Sequence, residues 1–136
     1  MTLSHFMVRP QYHFRLSARG LLAWDVRRLI KLSVGLPIGS VLVAQVSELE
    51  ENHWYKHGAA SPSCRSVVEH CSLIVQADLA YPIILDQSGR VMDGMHRVCK
   101  ALMQGIASVP AVQFTSDPEP DYVGLEPECL PYDTAP

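Results

Sequence analysis

One continuous segment, residues 81–105, constrains the fold more than any other part of the chain. Its sequence is YPIILDQSGRVMDGMHRVCKALMQG. An apolar run, a Gln-Ser-Gly turn signal, a second short run, an Asp-Gly break and a stretch of helical periodicity follow one another. These signals predict a strand at Pro82–Leu85, a turn at residues 87–89, a strand at Arg90–Met92, a break at Asp93-Gly94 and a helix at Met95–Gln104.

Further apolar patterns predict strands and helices before and after this segment. Asp25 is a suitable N-cap for a short helix that ends before Gly35. The β-branched run from Val41 to Val46 predicts a buried strand, and the run from Val109 to Phe114 predicts a last strand. Together these elements predict an α/β (α+β) fold in which helices flank a small mixed sheet.

A longer helix is predicted between Ser61 and about Asp78. Ser61 is a capping residue, and Pro62 is favoured at the first helical position. An apolar stripe along this helix is predicted to face the core, whereas His70 is predicted to point to the surface. The stripe consists of Val67, Val68, Cys71, Ile74 and Ala77.

The two ends of the chain differ in composition from its middle. Residues 1–20 are mixed and are predicted to form a loosely docked arm. Residues 21–115 are predicted to form the folded domain. Residues 117–136 contain five prolines and no Lys or Arg, so residues 116–136 are predicted to form an extended acidic tail without regular structure.

The distribution of charge and cysteine limits the classes of partner. The formal net charge is −3, and residues 101–136 hold six acidic residues and no basic ones. A chain without a broad basic face is not expected to bind nucleic acid. No apolar run is long enough for a membrane span, and no secretory signal is expected at the N-terminus. The four cysteines form no Cys-x-x-Cys pair, so they are predicted to be reduced thiols in a cytoplasm.

The Asp93-Gly94 turn is the strongest candidate for a functional site. The first turn of the following helix offers free amides and the positive end of the helix dipole, which together favour an anion. Gly94 permits close approach of a phosphate, and His96 and Arg97 add side-chain donors. A structural alternative remains open, because Asp93 can cap the helix and pair with Arg97 four residues later.

The pattern around this turn resembles the ParB/sulfiredoxin superfamily. The residues that carry the resemblance are Asp93-Gly94-Met95-His96-Arg97, the glycine that ends the helix, and Val109-Pro110-Ala111-Val112. The likeness covers approximately residues 41–114. It implies a nucleotide-phosphate site formed by Gly94, Met95, His96 and Arg97.

The sequence departs from two branches of that superfamily. Sulfiredoxins carry a reactive cysteine where this chain has Met95, and a thioether is not a thiolate nucleophile. Partition proteins of the ParB type carry a DNA-binding helical domain downstream, whereas only 22 residues follow Phe114 here. A role in DNA partition is therefore not expected.

The local motif is most similar to that of the free-serine kinases of the superfamily, which reads Asp-Gly-His-His-Arg. In those kinases a glutamate after the first strand is the base on the substrate hydroxyl. The resemblance implies this role for Glu50, with Glu48 and Glu51 as close alternatives. It implies that Asp93 either caps the helix or approaches Mg²⁺, and that the nucleotide is ATP or ADP, with CTP also compatible.

No metal site formed by the protein alone is predicted. His53 and His57 have the spacing of a helical metal pair, but they lie in a loop-like segment without an evident third ligand.

Two functions follow as hypotheses. The first is a nucleotide-binding phosphotransferase or nucleotide hydrolase that acts on a small-molecule acceptor. The second is a non-catalytic module that senses a nucleotide or another anion. The acidic tail is compatible with folding over the site or across a homodimer.

Overall fold

The structure, a computed structural model, describes residues 11–57 and 61–132. This part of the chain forms two β-sheets and three α-helices. The strands are β1 (Tyr12–Ser17), β2 (Gly20–Asp25), β3 (Gly39–Leu42), β4 (Ile83–Leu85), β5 (Val91–Asp93), β6 (Ser108–Gln113) and β7 (Tyr122–Val123). The helices are α1 (Val26–Ser33), α2 (Cys64–Gln76) and α3 (Met95–Met103).

A four-stranded mixed sheet with the order β3-β6-β4-β5 carries the centre of the fold. Strands β4 and β6 are parallel, with Ile83 opposite Ala111, and the other two pairings are antiparallel. The predicted α/β fold with a small mixed sheet and flanking helices is therefore confirmed. The strand, turn, strand and helix predicted between Pro82 and Gln104 all form, within a residue or two of the expected limits.

The core lies on both faces of this sheet. Because successive side chains of a strand point to opposite faces, Ile83 and Leu85 pack in one cluster and Ile84 packs in the other. The first cluster is covered by α3 through Val98, and the second is covered by β2 and α1. Burial on both faces explains why β4 is apolar throughout rather than alternating.

Residues 12–17 were predicted to be loosely docked, but they are part of a sheet. They form β1, which pairs with β2 along its full length from Tyr12 opposite Asp25 to Ser17 opposite Gly20. The division of the chain into arm, domain and tail stays a prediction, and residues 1–10 of the predicted arm lie outside the described residues.

The predicted absence of regular structure in the tail is wrong for its described part. Tyr122 and Val123 form β7, which adds a third strand to the β1-β2 sheet, and residues 127–129 form a 3-10 helix. The acidic side chains pair with the basic residues of β1 and α1: Arg15 lies 3.0 Å from Asp117, and Arg28 lies 3.4 Å from Asp121. The acidity of the tail thus complements a basic surface of the same chain. Residues 133–136 lie outside the described part.

Two further expectations differ from the structure. The strand predicted from Val41 to Val46 ends at Leu42, and residues 43–45 form a 3-10 helix instead. The long helix begins at Cys64 with Ser63 as its cap, and none of its residues is buried. The prediction that the apolar stripe faces the core is wrong for Val67, Val68 and Cys71, which are exposed, whereas Ile74 and Ala77 are partly buried.

Among the residues that the structure describes, no helix has the combination of length and apolar character that crossing a bilayer requires.

We predict that Gly94→Ala lowers the free energy of unfolding by about 3 kcal/mol. A Cβ at Gly94 would lie 2.6 Å from Cγ2 of Ile83, and the residue has a φ of +112°. Overpacking costs about 1–3 kcal/mol, and a left-handed backbone costs a non-glycine residue about 1–2 kcal/mol. Chemical denaturation measures the change.

The matched controls are Gly105→Ala and Gly35→Ala. Gly105 has a φ of +70° but open space at its Cβ, so only the backbone cost of about 1 kcal/mol applies. Gly35 has neither constraint and is expected to change stability by less than about 1 kcal/mol. Equal losses at Gly94 and Gly105 would contradict a steric role for Ile83.

Candidate functional site

A cavity of about 680 Å³ opens between α1, the C-terminal part of α2 and the start of α3. Of the residues predicted for the site, four line this cavity: Asp93, Gly94, His96 and Arg97. Its remaining walls are mainly apolar and include Ile30, Leu36, Leu73, Ile84 and Val112. The turn predicted from the sequence to form the site therefore borders this cavity.

Gly94 is the N-cap of α3 and places the first turn of the helix at the cavity. Its carbonyl oxygen accepts the amides of Arg97 and Val98 at 3.0 and 3.1 Å, and no side chain caps the helix. The amides that precede Arg97 at the start of a helix have no acceptor within the helix, so this end carries a partial positive charge. Asp93 does not cap the helix, so the predicted capping role of this residue is wrong.

Arg97 is held by three protein groups at the edge of the cavity. Its guanidinium donates to the carbonyl oxygens of Tyr81 and Pro82 at 3.1 and 2.8 Å, and to the Asp93 carboxylate at 3.0 Å. The predicted Asp93–Arg97 pair is thus present. Burial raises the pKa of Asp93, and the charge of Arg97 opposes this shift.

His96 belongs to an aromatic cluster that the sequence did not indicate. Its Nε2 lies 2.8 Å from Nδ1 of His70, and the Trp54 ring stacks on both imidazoles, with its centroid 4.3 Å from that of His70 and 4.8 Å from that of His96. Burial lowers the pKa of His96 to about 4, with smaller contributions from His70, His53 and Arg97. Burial also lowers the pKa of His70. Both rings are therefore neutral near pH 7. In the hydrogen bond between them, one of the two ring nitrogens carries a proton and donates it, and the other accepts.

The surface location predicted for His70 is wrong, because α2 turns this residue toward α3. His70 and Trp54 are distant in sequence from His96, and no local pattern signals the contact. The packing of α2 against α3 brings the two imidazoles together, and the loop that carries Trp54 stacks its ring on both.

Met95 lies at the same turn but faces the interior. Its side chain is buried and packs in the core cluster beneath α3. Only its backbone amide is at the start of the helix, so the thioether does not line the 680 Å³ cavity.

The three candidate glutamates do not line this cavity. Glu48 is buried, and its carboxylate accepts the amide of Val91 at 2.6 Å. Glu51 accepts two hydrogen bonds from Arg90 at 2.7 and 3.0 Å and one from Lys56 at 3.1 Å. Hydrogen bonds from Arg90 and then Lys56 lower the pKa of Glu51 to about 2. Glu50 is exposed at the end of a 3-10 helix.

Glu48 instead lines a separate cavity of about 360 Å³ beside β1. His53 and His57 also line it, and each has one buried ring nitrogen without a hydrogen-bond partner among the described residues. Within residues 11–57 and 61–132, no group of three or more His, Cys, Asp or Glu side chains is arranged to hold a metal ion.

Comparisons with models of protein families, with curated proteins and with solved structures each give no match to this chain. The relationship to the ParB/sulfiredoxin superfamily therefore stays a prediction that rests on the motif from Asp93 to Arg97 and on the segments around it.

We predict that Glu48→Ala destabilises the fold by at least about 1–3 kcal/mol, because it leaves the buried amide of Val91 without an acceptor. Glu48→Gln keeps an oxygen acceptor and is expected to cost less than half as much. Glu51→Ala removes a partly exposed ion pair and is expected to cost about 1 kcal/mol or less. Urea denaturation of the three variants tests this order, and a larger loss for Glu51 than for Glu48 would contradict it.

We also predict that the protein loses stability as the pH falls from about 6.5 to about 4. Burial lowers the pKa of His13 to about 3 and that of His96 to about 4, from an ordinary value of 6.5. Over this range the unfolded chain binds more protons than the folded chain, so acid favours unfolding.

The variant His13→Phe removes one of these titrating groups and keeps an aromatic ring against Trp24. Its free energy of unfolding is expected to fall less steeply with decreasing pH than that of the wild type. Denaturation at a series of pH values measures both slopes, and identical slopes would show that His13 does not contribute.

Proposed function

We propose that this chain is a nucleotide-binding module that takes the nucleotide into the 680 Å³ cavity. In this arrangement the phosphates lie at the start of α3, beside Gly94, His96 and Arg97, and the base lies against the apolar walls. The cytoplasm, with its nucleotides and reducing conditions, is the compartment that fits this role and the four free cysteines.

One observation carries the proposal: the cavity opens directly onto the uncapped first turn of α3. Its volume lies within the range of about 300–1,000 Å³ that is typical of small-molecule sites. Apolar walls with a few convergent polar groups are also typical of such sites. The positive end of α3 supplies the polar groups that suit phosphate oxygens.

The charges around the cavity favour a nucleotide that arrives with Mg²⁺. Arg97 is balanced by Asp93, and Asp78 adds a second carboxylate to the lining. Oxygen ligands of this kind suit Mg²⁺, which would offset the repulsion between these carboxylates and the phosphates.

The contacts of the glutamates favour binding over phosphoryl transfer. A base must reach the hydroxyl proton that it removes. Glu48 is engaged by Val91 and Glu51 by Arg90, and neither lines the cavity. A module that senses the nucleotide therefore fits these contacts better than a kinase with one of these glutamates as the base.

Asp93 supports phosphotransfer to a small-molecule acceptor as a second candidate function. It is a carboxylate on the same cavity as His96 and Arg97, and burial raises its pKa while Arg97 opposes the shift. If the protein transfers phosphate, Asp93 rather than Glu48, Glu50 or Glu51 is the residue that receives the proton.

Calorimetric titration with ATP, ADP and CTP, with and without Mg²⁺, tests the proposed function. We predict that at least one of the three binds with a stoichiometry of one. The variant Gln76→Glu adds a negative charge to the cavity wall and is expected to weaken binding about fivefold, since an added like charge costs about 1 kcal/mol.

The matched control is Gln45→Glu, which makes the same change at an exposed position outside the cavity. It is expected to leave the affinity unchanged. The absence of binding by all three nucleotides, or equal effects of the two variants, would refute the proposed site.

Turnover separates the two candidate functions. A sensor binds the nucleotide without releasing phosphate or diphosphate. A phosphotransferase or hydrolase releases product, and the variant Asp93→Asn is expected to abolish this release. A measurement of unfolding for Asp93→Asn is the necessary control, because this variant also loses the charge that pairs with Arg97.

A further inference from the structure

Helix α2 presents its apolar side to solvent. Cys64, Val68, Cys71 and Val75 follow one another at steps of three or four residues and therefore share one face of the helix. Both cysteines are exposed, and the two valines have 65% and 63% of their surface exposed. We name this stripe of four residues the α2 outer face.

The opposite side of α2 contacts the rest of the protein through polar residues and through Leu73, which lines the 680 Å³ cavity. The hydroxyl of Ser66 lies 3.0 Å from that of Tyr55, and His70 is hydrogen-bonded to His96. A surface helix normally keeps its apolar residues on the inward side, whereas α2 also carries apolar residues along its exposed side. Neighbouring exposed apolar residues are a feature of interaction surfaces, and the α2 outer face has four of them in line.

Two charged residues beside the α2 outer face indicate what covers it. Arg65 and Glu69 are one turn apart, on the same flank of the helix. Neither forms an ion pair with any described residue, and the pairing between them that four-residue spacing permits is not made. One positive and one negative charge along one flank are self-complementary when a second copy of the helix runs antiparallel.

We propose that the α2 outer face is a homodimer interface in which two copies of α2 pack antiparallel across a two-fold axis. With the axis near Val67 and Val68, Arg65 of one protomer lies beside Glu69 of the partner subunit. The same register places Cys64 beside Cys71 of the partner subunit. A two-fold axis repeats each contact, so the interface has two such charge pairs.

The interface is small, and this sets the expected strength of the dimer. One helix of 13 residues buries less surface than the roughly 800 Å² per partner of a standard interface. The dimer is therefore expected to form reversibly with rising protein concentration. This inference does not depend on nucleotide binding, because the α2 outer face lies apart from the residues that line the 680 Å³ cavity.

Analytical ultracentrifugation over a series of concentrations is the first test. The average molecular mass of the wild type is expected to rise with concentration from 15.1 kDa toward twice that value. Val68→Glu is expected to remain monomeric at every concentration. Val34→Glu makes the same change at an exposed valine of another surface and is expected to dimerise as the wild type does.

The charge pairs are tested by reversal. Arg65→Glu alone is expected to weaken the dimer, because it brings two like charges together at each end of the contact. Arg65→Glu combined with Glu69→Arg restores opposite charges and is expected to recover most of the affinity. A monomeric wild type at all concentrations, or a double variant no better than the single one, would overturn the proposal.

Cysteine cross-linking tests the register. In a background with Cys99→Ala and Cys129→Ser, treatment with diamide is expected to yield a covalent dimer through Cys64 and Cys71. Cys64→Ser and Cys71→Ser should each abolish it, because two copies of the same cysteine lie about 10 Å apart along the helix axis, beyond disulfide reach. An equimolar mixture of the two variants should restore it, and a covalent dimer of either variant alone would refute this register.

Discussion

The contact between Gly94 and Ile83 is the constraint on which the rest of the site depends. Strand β5 ends at Asp93, and the turn into α3 passes so close to β4 that a Cβ at Gly94 would overlap the Ile83 side chain. Because glycine permits this approach, α3 begins directly against the central sheet. Its first turn then lies at the mouth of the 680 Å³ cavity, with His96 and Arg97 on the cavity wall.

Most charged groups around the site are already engaged by the fold. Arg97 is held by Asp93 and two carbonyl oxygens, and Glu48 satisfies the amide at the start of β5. The groups left for a ligand are backbone amides, a neutral imidazole and an apolar wall. Such groups bind and orient a molecule well, but they supply little acid or base at neutral pH. This balance supports the proposed binding module, and Asp93 and Asp78 are the carboxylates on the cavity wall.

The same packing connects the site with α2. Trp54 stacks on His70 and His96, so the polar side of α2 is bound to the first turn of α3. Once His70 and Ser66 face inward, the valines and cysteines on the opposite side necessarily face outward. The exposed α2 outer face is therefore a consequence of the contact that supports His96, and the proposed homodimer would remove this face from water.

The sequence by itself determined the local elements and the turn. The β4 to α3 segment, the cap at Asp25 and the last strand were predictable because hydrophobic spacing, glycine and turn residues act over a few positions. Four residues of the predicted site do line one cavity. The structure of residues 12–17 and of the tail was not predictable, because those strands are stabilised by β2 and by distant ion pairs. The orientation of α2, the separation of the glutamates from the cavity and the Trp54–His70–His96 cluster were decided only by tertiary structure. Helix α2 carries apolar residues on more than one side, and only the positions of His96 and Tyr55 in space select the side with Ser66 and His70 as the inward one.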